Sequence, residues 1–347
     1  MSTTKAWAAQ SATSPLAPFQ APRREVGDRD VLVDITHCGV CHSDIHQARD
    51  EWGGSIFPMV PGHEIVGRVA RVGKQVERFR AGDIVGVGCM VDSCRTCDSC
   101  QRDLEQFCQR GAAMTYNGTE MDRKTPTYGG YSKQVVVDER FTLRIPGGLD
   151  PAGAAPLLCA GITTYSPLRH WKAGPGSRVG VVGLGGLGHM AVKLAASMGA
   201  EVTMLSTSKA KEADARRLGA QHFALTTDKA TFRKLAGGFD LIVDTISAPH
   251  DLNAHLGMLK VDGAMVLLGV PPTPAPVHAF SLIGGRKSLS GSLIGGIAET
   301  QEMLDYCATH RITSDVEVIP IEKINQAYER MLKGDVRYRF VIDLATL

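Results

Sequence analysis

The second half of the chain alternates short apolar runs with stretches that carry apolar residues at helical spacing. The first of these runs, residues 178–182, is apolar and rich in β-branched residues, and it has the length of a single buried strand. We predict strands over residues 178–182, 202–206, 222–225, 239–245, 264–269 and 288–293. Helical stretches fall between most of these strands. The alternation predicts an α/β architecture with a doubly wound parallel sheet.

The first part of the chain has a different pattern, in which Gly and Pro separate short β-like runs. Helical periodicity is poor here, so we expect an irregular, mostly antiparallel β domain. The predicted strands cover residues 31–36, 64–72, 83–88 and 131–137.

The end of the chain is predicted to form two helices and one strand, over residues 299–310, 321–333 and 337–342. The parallel strands are complete by about residue 294, so this tail is expected to pack back onto the first domain. We predict one domain from residues 1–155 and 295–347, and a second domain from residues 156–294.

A glycine motif joins the first predicted parallel strand to a predicted helix over residues 187–198, which Gly199 closes at its C′ position. Gly183, Gly185 and Gly188 form the pattern G-x-G-x-x-G. The first glycine permits a tight turn, the second lets a pyrophosphate approach the backbone, and the third lets the helix pack close to the strand. The helix N-terminus attracts phosphate. We therefore predict a dinucleotide site, whose further loop contacts are Leu184, Gly186 and Leu187.

The residues after the second parallel strand indicate which dinucleotide is preferred. NAD-binding folds place Asp or Glu about 20 residues past the glycines, where it holds the ribose 2′-hydroxyl. This chain has hydroxyl and lysine side chains there instead, at Ser206, Thr207, Ser208, Lys209 and Lys211. These groups suit a 2′-phosphate, so we predict NADP(H) rather than NAD(H). A helix N-cap at Ser208 followed by solvated lysines is compatible with this interpretation.

The bulk composition excludes several classes of function. A chain of 347 residues can build two domains with full cores. Its 38 basic and 36 acidic residues give a net charge of +2, which offers no reason to invoke nucleic acid or a membrane surface. No apolar run has the length of a membrane span and no secretion signal is recognisable, so we expect a cytoplasmic protein. In that compartment nine cysteines indicate metal binding or catalysis rather than disulfides.

Four of these cysteines are closely spaced, and they are Cys94, Cys97, Cys100 and Cys108. Four thiolates at this density predict a closed, structural Zn²⁺ site. A zinc ribbon that binds nucleic acid is disfavoured, because arginines and acidic residues are interleaved in this stretch and leave no basic face. Cys89 lies outside the spacing and is interpreted as a packed thiol.

Three further residues have the chemistry of a second metal site but are far apart in the sequence, namely Cys41, His63 and Cys159. Spacing alone does not join them. A single buried cysteine is more often a small apolar core residue, and a single buried histidine is more often a hydrogen-bonded core residue. Two thiolates, one imidazole and an open position nevertheless make a catalytic zinc site of the alcohol-dehydrogenase kind.

Taken in order, these motifs resemble those of the zinc-dependent medium-chain alcohol dehydrogenases, and the similarity covers nearly the whole chain. The motifs are residues 39–44, 62–64, the four-cysteine run, Cys159 and residues 183–188. Residues 41–46, 51–52, the loop after Ser206 and residues 294–296 further resemble the cinnamyl-alcohol-dehydrogenase branch. Within that branch, the chain is similar to the bacterial NADPH-dependent broad-range aldehyde reductases. The resemblance implies a GroES-like, mostly-β catalytic domain and a Rossmann cofactor domain.

The resemblance also implies roles for individual residues. Cys41, His63 and Cys159 would ligate a catalytic zinc. Asp44 would accept a hydrogen bond from the ring nitrogen of His63 that faces away from the metal and would fix its tautomer. Glu64 would be a nearby acid or a transient fourth ligand.

Proton transfer, cofactor binding and substrate binding are assigned by the same resemblance. Ser43 would bond the substrate oxygen, and His46 would end a proton relay that runs through the cofactor ribose to solvent. The remaining predicted cofactor contacts are His42, Thr163, Gly269, Val270, Ser292 and Leu293. The candidates for the substrate pocket are Trp52 and Phe57.

The implied activity is reversible hydride transfer between NADP(H) and aldehydes or primary alcohols, with aromatic or medium aliphatic substrates and two zinc ions per chain. NADPH use favours reduction, and pairing of the last parallel strands implies a homodimer. A zinc-free quinone reductase of the same superfamily is disfavoured, because such proteins lack both ligand sets. A non-catalytic nucleotide- or zinc-binding protein on this fold is disfavoured, because no ligand or relay residue is missing.

Overall fold

The structure, a computed structural model, describes residues 2–347 and divides into two compact units. The first unit comprises Met1–Ile162 and Gly295–Leu347, and the second comprises Thr163–Ile294. The change of sequence pattern places the first border at residue 155, whereas the structure places it within a later helix. The reason is that the short helical segments over residues 151–158 pack on strands of the first unit.

The first unit is built mainly from short strands. Those before the second unit are β1 (Ser2–Ala8), β2 (Ala17–Arg23), β3 (Asp30–Val40), β4 (Ile65–Val72), β5 (Ile84–Val87), β6 (Met90–Asp92), β7 (Ala113–Met114), β8 (Gln134–Asp138) and β9 (Leu143–Arg144). All the pairings among these strands are antiparallel. This confirms the expected mostly-β fold.

Helices also occur in this part of the chain, where the sequence pattern shows little helical periodicity. They are α1 (His42–Ala48), α2 (Asp98–Gln101), α3 (Pro151–Ala154) and α4 (Ala160–His170), with 3-10 turns at Glu105–Phe107, Glu139–Phe141 and Ala155–Leu158. The helix α1 is too short to show a period. Its start is instead specified by a carboxylate, because Asp44 accepts a hydrogen bond from the backbone N–H of Cys41 at 2.8 Å.

The second unit is a parallel six-stranded sheet. Its strands are β10 (Arg178–Val182), β11 (Glu201–Ser206), β12 (His222–Leu225), β13 (Phe239–Asp244), β14 (Leu259–Leu267) and β15 (Ser288–Gly291). Its helices are α5 (Gly188–Ser197), α6 (Glu212–Arg217), α7 (Lys229–Lys234), α8 (Leu252–Gly257) and α9 (Phe280–Ile283), with a 3-10 turn at Lys209–Lys211. The order β12-β11-β10-β13-β14-β15 is that of a doubly wound nucleotide-binding sheet, as predicted.

The strand order reverses between β10 and β13, so a ligand is expected at the carboxyl ends of these strands. The sheet is held by apolar side chains from its strands and from α8, among them Phe239, Leu256 and Met265, which are fully buried. The strand β14 begins earlier than the sequence pattern indicates. Exposed residues interrupt its apolar pattern, although Leu259 pairs with Phe239 across an irregularity in the ladder.

The tail of the chain returns to the first unit. It forms α10 (Ile297–His310), β16 (Val316–Pro320), α11 (Ile324–Leu332) and β17 (Arg339–Asp343), with 3-10 turns at Ile321–Lys323 and Leu344–Thr346. The strand β17 pairs antiparallel with β3, with Phe340 opposite Val40. The resulting sheet has the order β16-β17-β3-β4-β5-β9, and β8 also pairs with β3. Among residues 2–347, none of the helices has both the length and the apolar character to cross a bilayer.

Candidate functional site

The four closely spaced cysteines converge in one loop of the first unit. The Sγ atoms of Cys94, Cys97, Cys100 and Cys108 all lie within 4.8 Å of one another. Cys97 Sγ is 3.5 Å from Cys100 Sγ, and Cys94 Sγ is 3.9 Å from Cys100 Sγ. Four Zn–S bonds of about 2.3 Å in a tetrahedron place sulfurs roughly 3.8 Å apart. The cluster therefore fits a zinc ion with four thiolate ligands and no open position.

Backbone N–H groups point at these sulfurs and favour the thiolate form that a metal needs. Cys97 N donates to Cys94 Sγ, and Gln109 N donates to Cys97 Sγ, each at 3.4 Å. The N–H groups of Thr96 and Cys97 lower the pKa of the Cys94 thiol to about 6. Burial instead raises the pKa of the Cys100 thiol to about 12. The loop backbone thus contributes electrostatic support for bound metal, because a ligating cysteine must lose its proton.

A second cluster joins residues that are remote in the sequence. The ligand atoms of Cys41, His63, Glu64 and Cys159 also lie within 4.8 Å of one another, and all four residues are buried. Cys41 follows β3, His63 and Glu64 come directly before β4, and Cys159 precedes α4. The antiparallel pairing of β3 with β4 brings the first three together, and the turn Ala155–Leu158 delivers the fourth. The set offers two sulfurs, an imidazole nitrogen and a carboxylate, which are zinc ligands.

Asp44 forms hydrogen bonds that position residues of this second cluster. Its carboxylate is completely buried and accepts hydrogen bonds from Cys41 N at 2.8 Å, Gly62 N at 3.1 Å and the Tyr131 hydroxyl at 3.2 Å. Its Oδ1 also lies 3.2 Å from His63 Nδ1. A carboxylate only accepts, so Nδ1 carries the proton and Nε2 is free to bind a metal. Burial lowers the pKa of His63, but Asp44 outweighs this and raises it.

Replacement of Asp44 by asparagine is expected to weaken the second cluster without removing a ligand. The amide keeps the size of the side chain but lacks the charge that fixes the His63 tautomer. Metal affinity and kcat should fall about 10- to 100-fold. Zinc competition with a chromogenic chelator, run alongside turnover, measures both. Unchanged affinity and unchanged kcat would contradict this role for Asp44.

Arg339 completes the charge balance of the cluster and was not found by sequence reasoning. It is 2 % exposed, and its Nη2 lies 3.4 Å from Glu64 Oε1. Burial raises the pKa of Glu64 to about 7, although Arg339 opposes the rise. The signal in the sequence is a single arginine at the start of β17, directly before the apolar residues 340–342. Its partner could be identified only once the pairing of β17 with β3 was known.

The two cysteines of the second cluster differ in acidity. The Cys159 thiol, Arg339 and His63 together lower the pKa of the Cys41 thiol well below its usual range. The Cys41 and Cys89 thiols raise the pKa of Cys159. Cys89 is therefore a neighbour of the cluster as well as a packed thiol, and its Sγ lies 3.8 Å from the carbonyl oxygen of Leu158.

The other predicted catalytic residues lie on or next to α1. The Cys41 thiol is 3.6 Å from Ser43 Oγ. His46 Nδ1 lies 2.5 Å from Glu51 Oε2, and the His46 ring stacks on Trp52 with centroids 4.9 Å apart. His42 is a neighbour of His46 on the same helix, with centroids 6.3 Å apart. Trp52 is 48 % exposed, so it is available to contact a ligand.

Phe57 and Thr163, which are predicted to contact the substrate and the cofactor, belong to different units. Phe57 precedes a cis proline and is partly buried. Thr163 is 8 % exposed and begins the second unit within α4.

The glycine motif connects β10 to α5 in the second unit. Gly183 has a φ of +90°, and a Cβ there would lie 2.9 Å from the side chain of Ile246. At Gly188 a Cβ would lie 1.9 Å from the carbonyl oxygen of Gly183. Larger residues are therefore excluded at both positions. A Cβ at Gly185 would meet nothing within 4 Å, so the backbone there is open to a pyrophosphate. Leu184, Gly186 and Leu187 complete the turn.

The loop after β11 lies next to this turn. Lys211 Nζ donates to the carbonyl oxygen of Leu184 at 2.7 Å, and burial lowers the pKa of this ammonium. Ser206 Oγ accepts from Ser208 N at 3.2 Å, while the Ser208 side chain makes no N-cap hydrogen bond. Lys209 pairs with Glu212 and is largely exposed. Thr207 is exposed at the same tip.

The remaining predicted cofactor contacts lie at the carboxyl ends of β14 and β15. Gly269 and Val270 follow β14, and Ser292 and Leu293 follow β15. A Cβ at Gly269 would lie 2.1 Å from the carbonyl oxygen of Ile246. Val270 and Leu293 are exposed, at 57 % and 52 %. These residues share the ligand edge of the parallel sheet.

Comparison with known proteins identifies the family. Residues 27–147 match the alcohol dehydrogenase GroES-like domain, and residues 186–309 match the zinc-binding dehydrogenase family. The chain is 58 % identical to an NADP-dependent alcohol dehydrogenase C of Mycolicibacterium smegmatis, over 100 % of this chain and 99 % of that protein. It is 54 % identical to the aldehyde reductase YahK of Escherichia coli, over 99 % of each chain.

Solved structures give the same result. A cinnamyl alcohol dehydrogenase from Sorghum bicolor superposes with a TM-score of 0.96 at 45 % identity, covering 99 % of this chain and 98 % of that one. A cinnamyl alcohol dehydrogenase from Helicobacter pylori, complexed with NADP(H), superposes with a TM-score of 0.93 at 42 % identity, covering 99 % of both chains. The chain therefore belongs to the zinc-binding alcohol dehydrogenase family, with a GroES-like domain and a Rossmann-type domain.

Proposed function

We propose that this protein is an NADP(H)-dependent zinc enzyme that interconverts aldehydes and primary alcohols and works mainly as an aldehyde reductase. The observation that carries the proposal is the convergence of Cys41, His63 and Cys159 on one point, with Asp44 fixing the imidazole. One full-length relative is named an NADP-dependent alcohol dehydrogenase and another an aldehyde reductase, which supports the same reaction.

Cys41, His63 and Cys159 would hold the catalytic zinc, and Glu64 is close enough to act as a transient ligand. Zinc bound there supplies Lewis acidity, which polarises the carbonyl oxygen of the substrate. Ser43, two residues from Cys41, would hydrogen-bond that oxygen and pass a proton to it. His46 would return the proton from solvent, and its partner Glu51 orients the ring.

The second unit would supply the reductant. The open backbone at Gly185 suits the pyrophosphate of the dinucleotide, and the start of α5 favours its negative charge. Ser206, Ser208 and Lys211 suit the 2′-phosphate, because two hydroxyls and one ammonium lie where an NAD-binding fold has a carboxylate. When bound, NADPH donates the hydride, and the protein orients it and excludes water.

We propose two zinc ions per chain, one in each cluster. Replacement of Cys100 by serine should remove the structural ion alone and lower the melting temperature by roughly 5–10 °C, because metal binding stabilises the loop. Plasma emission spectrometry should then give one zinc per chain instead of two. The Cys307→Ala variant is the matched control, since this buried cysteine belongs to neither cluster. Two zincs in Cys100→Ser would contradict the assignment.

The substrates are proposed to be aromatic aldehydes such as cinnamaldehyde and benzaldehyde, followed by medium aliphatic aldehydes. NADPH oxidation followed at 340 nm, with aldehydes and quinones in parallel, tests this class. We expect turnover of aldehydes and of the matching alcohols with NADP⁺, and none of quinones. Turnover of quinones alone would favour the quinone-reductase alternative, and no turnover of any kind would favour a non-catalytic protein.

We further propose a homodimer located in the cytoplasm. Within the described part of the chain β15 ends the parallel sheet, and an unpaired edge of this kind can pair with a second copy. The exposed apolar residues Phe280, Ile283 and Leu293 lie near this edge in the sequence. The nine cysteines of the sequence suit a reducing compartment, where thiols stay available to bind metal. Light scattering at several concentrations tests the dimer.

A further inference from the structure

The loop that follows β13, residues 245–250, packs directly on the glycine motif. Thr245 Oγ1 lies 2.8 Å from the carbonyl oxygen of Val182 and 3.1 Å from that of Gly183, so its single proton is shared between these two acceptors. A Cβ on Gly183 would lie 2.9 Å from the side chain of Ile246, and one on Gly269 would lie 2.1 Å from the Ile246 carbonyl oxygen. The conformation of this loop and that of the dinucleotide turn therefore depend on each other.

An ion pair beneath the loop fixes its two ends. Asp244 is 2 % exposed, and its Oδ1 accepts from Ile246 N at 3.1 Å. Its Oδ2 lies 2.8 Å from His250 Nε2, and His250 Nδ1 lies 2.9 Å from the carbonyl oxygen of Ala248. One carboxylate and one imidazole thus connect the beginning, middle and end of the loop.

The partners of His250 define its protonation. A carbonyl oxygen and a carboxylate are both acceptors, so each ring nitrogen must carry a proton and the ring is an imidazolium. The hydrogen bond to Asp244 raises the pKa of His250, against the effect of burial. A neutral ring could satisfy only one of its two partners, and the other would lose its hydrogen bond.

The other titratable groups that face His250 are His255 and Asp251. The rings of His250 and His255 contact edge to face, with centroids 5.5 Å apart. His255 Nδ1 lies 2.8 Å from the carbonyl oxygen of Asp251, and His255 Nε2 has no hydrogen-bond partner among residues 2–347. Burial, with a smaller contribution from His250, lowers the pKa of His255. Only His250 of this pair therefore carries charge.

We propose that His250 is a positioning residue for the nucleotide, which holds loop 245–250 in the conformation that binds NADP(H) only while the ring is charged. The inference rests on the proposed use of NADP(H). The ordered loop favours the imidazolium form of His250. The stabilisation that the charged ring gives to the loop is therefore complete below the pKa of a free imidazole, about 6.5. It is lost as the pH rises through the higher pKa of His250. Affinity for NADP⁺ should fall over the same interval.

Isothermal titration of the full-length protein with NADP⁺ between pH 6.5 and 9.5 tests the inference. The wild type should bind about tenfold more weakly at high pH, the scale of one charge-assisted hydrogen bond. His250→Gln should bind NADP⁺ weakly at every pH. Its affinity should change only slightly with pH, because only the phosphate of the ligand still titrates. His250→Arg keeps a charge and two donors, and should bind tightly across the range.

The matched control is His222→Gln. His222 pairs with Glu201 at 2.8 Å, as His250 pairs with Asp244, but it lies at the amino ends of β11 and β12, away from the ligand edge. The affinity of His222→Gln for NADP⁺ should depend on pH in the same way as that of the wild type. A His250→Gln profile parallel to the wild type would overturn the inference alone. Failure of the wild type to bind NADP⁺ at any pH would overturn the proposed function as well.

The protonation of the His250 ring can also be observed directly in the wild type, without comparing the affinities of variants. Nitrogen-15 NMR of histidine-labelled wild type, with His250 assigned by its absence in His250→Arg or by selective labelling, reports the protonation of both ring nitrogens. We expect two protonated nitrogens at pH 7 and loss of one on titration to pH 9.5. A neutral tautomer at pH 7 would overturn the inference.

Discussion

Replacement of His63 by alanine is expected to lower kcat for aldehyde reduction by about a thousandfold or more. The variant loses the nitrogen ligand of the proposed catalytic zinc and leaves Asp44 buried without its imidazole partner. The Lewis acid contributes several kcal/mol to the transition state, and each 1.36 kcal/mol is tenfold in rate. Stopped-flow measurement of NADPH oxidation with benzaldehyde gives the rate. Cys41→Ala should have an effect of the same size.

Cofactor binding separates loss of the metal site from general unfolding. The glycine motif belongs to the other unit, so both variants should bind NADPH with the affinity of the wild type. Cys307→Ala removes a buried cysteine from α10 and should leave kcat within about twofold of the wild type. Its kcat shows how much a packing defect alone lowers the rate. Full turnover by His63→Ala or Cys41→Ala would refute the metal assignment.

Replacement of Lys211 by alanine, combined with Ser206→Ala and Ser208→Ala, is expected to raise the KM for NADPH by about 10- to 100-fold. The three side chains share one phosphate and water partly replaces them, so their combined loss should cost roughly 1.5–3 kcal/mol, the size of one hydrogen bond to a charged group. Lys211 lies against the glycine turn through its bond to Leu184, so its ammonium is held near the dinucleotide. Initial rates with varied NADPH and NADH measure the change.

The KM for NADH should stay within about twofold in this variant, because NADH has no 2′-phosphate. Lys209→Ala is the comparison within the same loop. Lys209 is largely exposed and its ammonium is already paired with Glu212, so its removal should raise the KM for NADPH less than removal of Lys211 does. An unchanged preference in the triple variant would refute the 2′-phosphate interpretation.

Local sequence signals predicted the second unit well. The central strands β10 and β13 contain apolar, mostly β-branched runs, and Gly183 and Gly188 occupy positions that exclude any side chain. The four-cysteine site could be predicted equally well, because its ligands are close together in the sequence. No knowledge of the fold is required to group them. In these places one short segment determines both the structure and its chemistry.

Sites that are formed by residues remote in the sequence could not be predicted from local pattern alone. Cys41, His63 and Cys159 could be joined only by resemblance to a family, since strand pairing and a 3-10 turn bring them together. Arg339 was missed, because its role follows from the register of β17 on β3. The pair Asp244 and His250 was also missed, although the two residues are only six positions apart in the sequence, because nothing in the pattern shows that the loop folds back on its strand.

The central claim is that NADPH-linked aldehyde reduction depends on zinc held by Cys41, His63 and Cys159. The most direct test measures turnover and zinc content in the same samples of wild-type protein. Zinc is first removed with a chelator and is then added back. The account predicts two zincs per chain at the start, and activity that follows occupancy of one of them and returns when zinc is restored. Full NADPH-dependent turnover in protein whose Cys41 cluster holds no zinc would contradict it. The Cys100→Ser variant, which should keep only the zinc of that cluster, identifies which of the two ions has been lost.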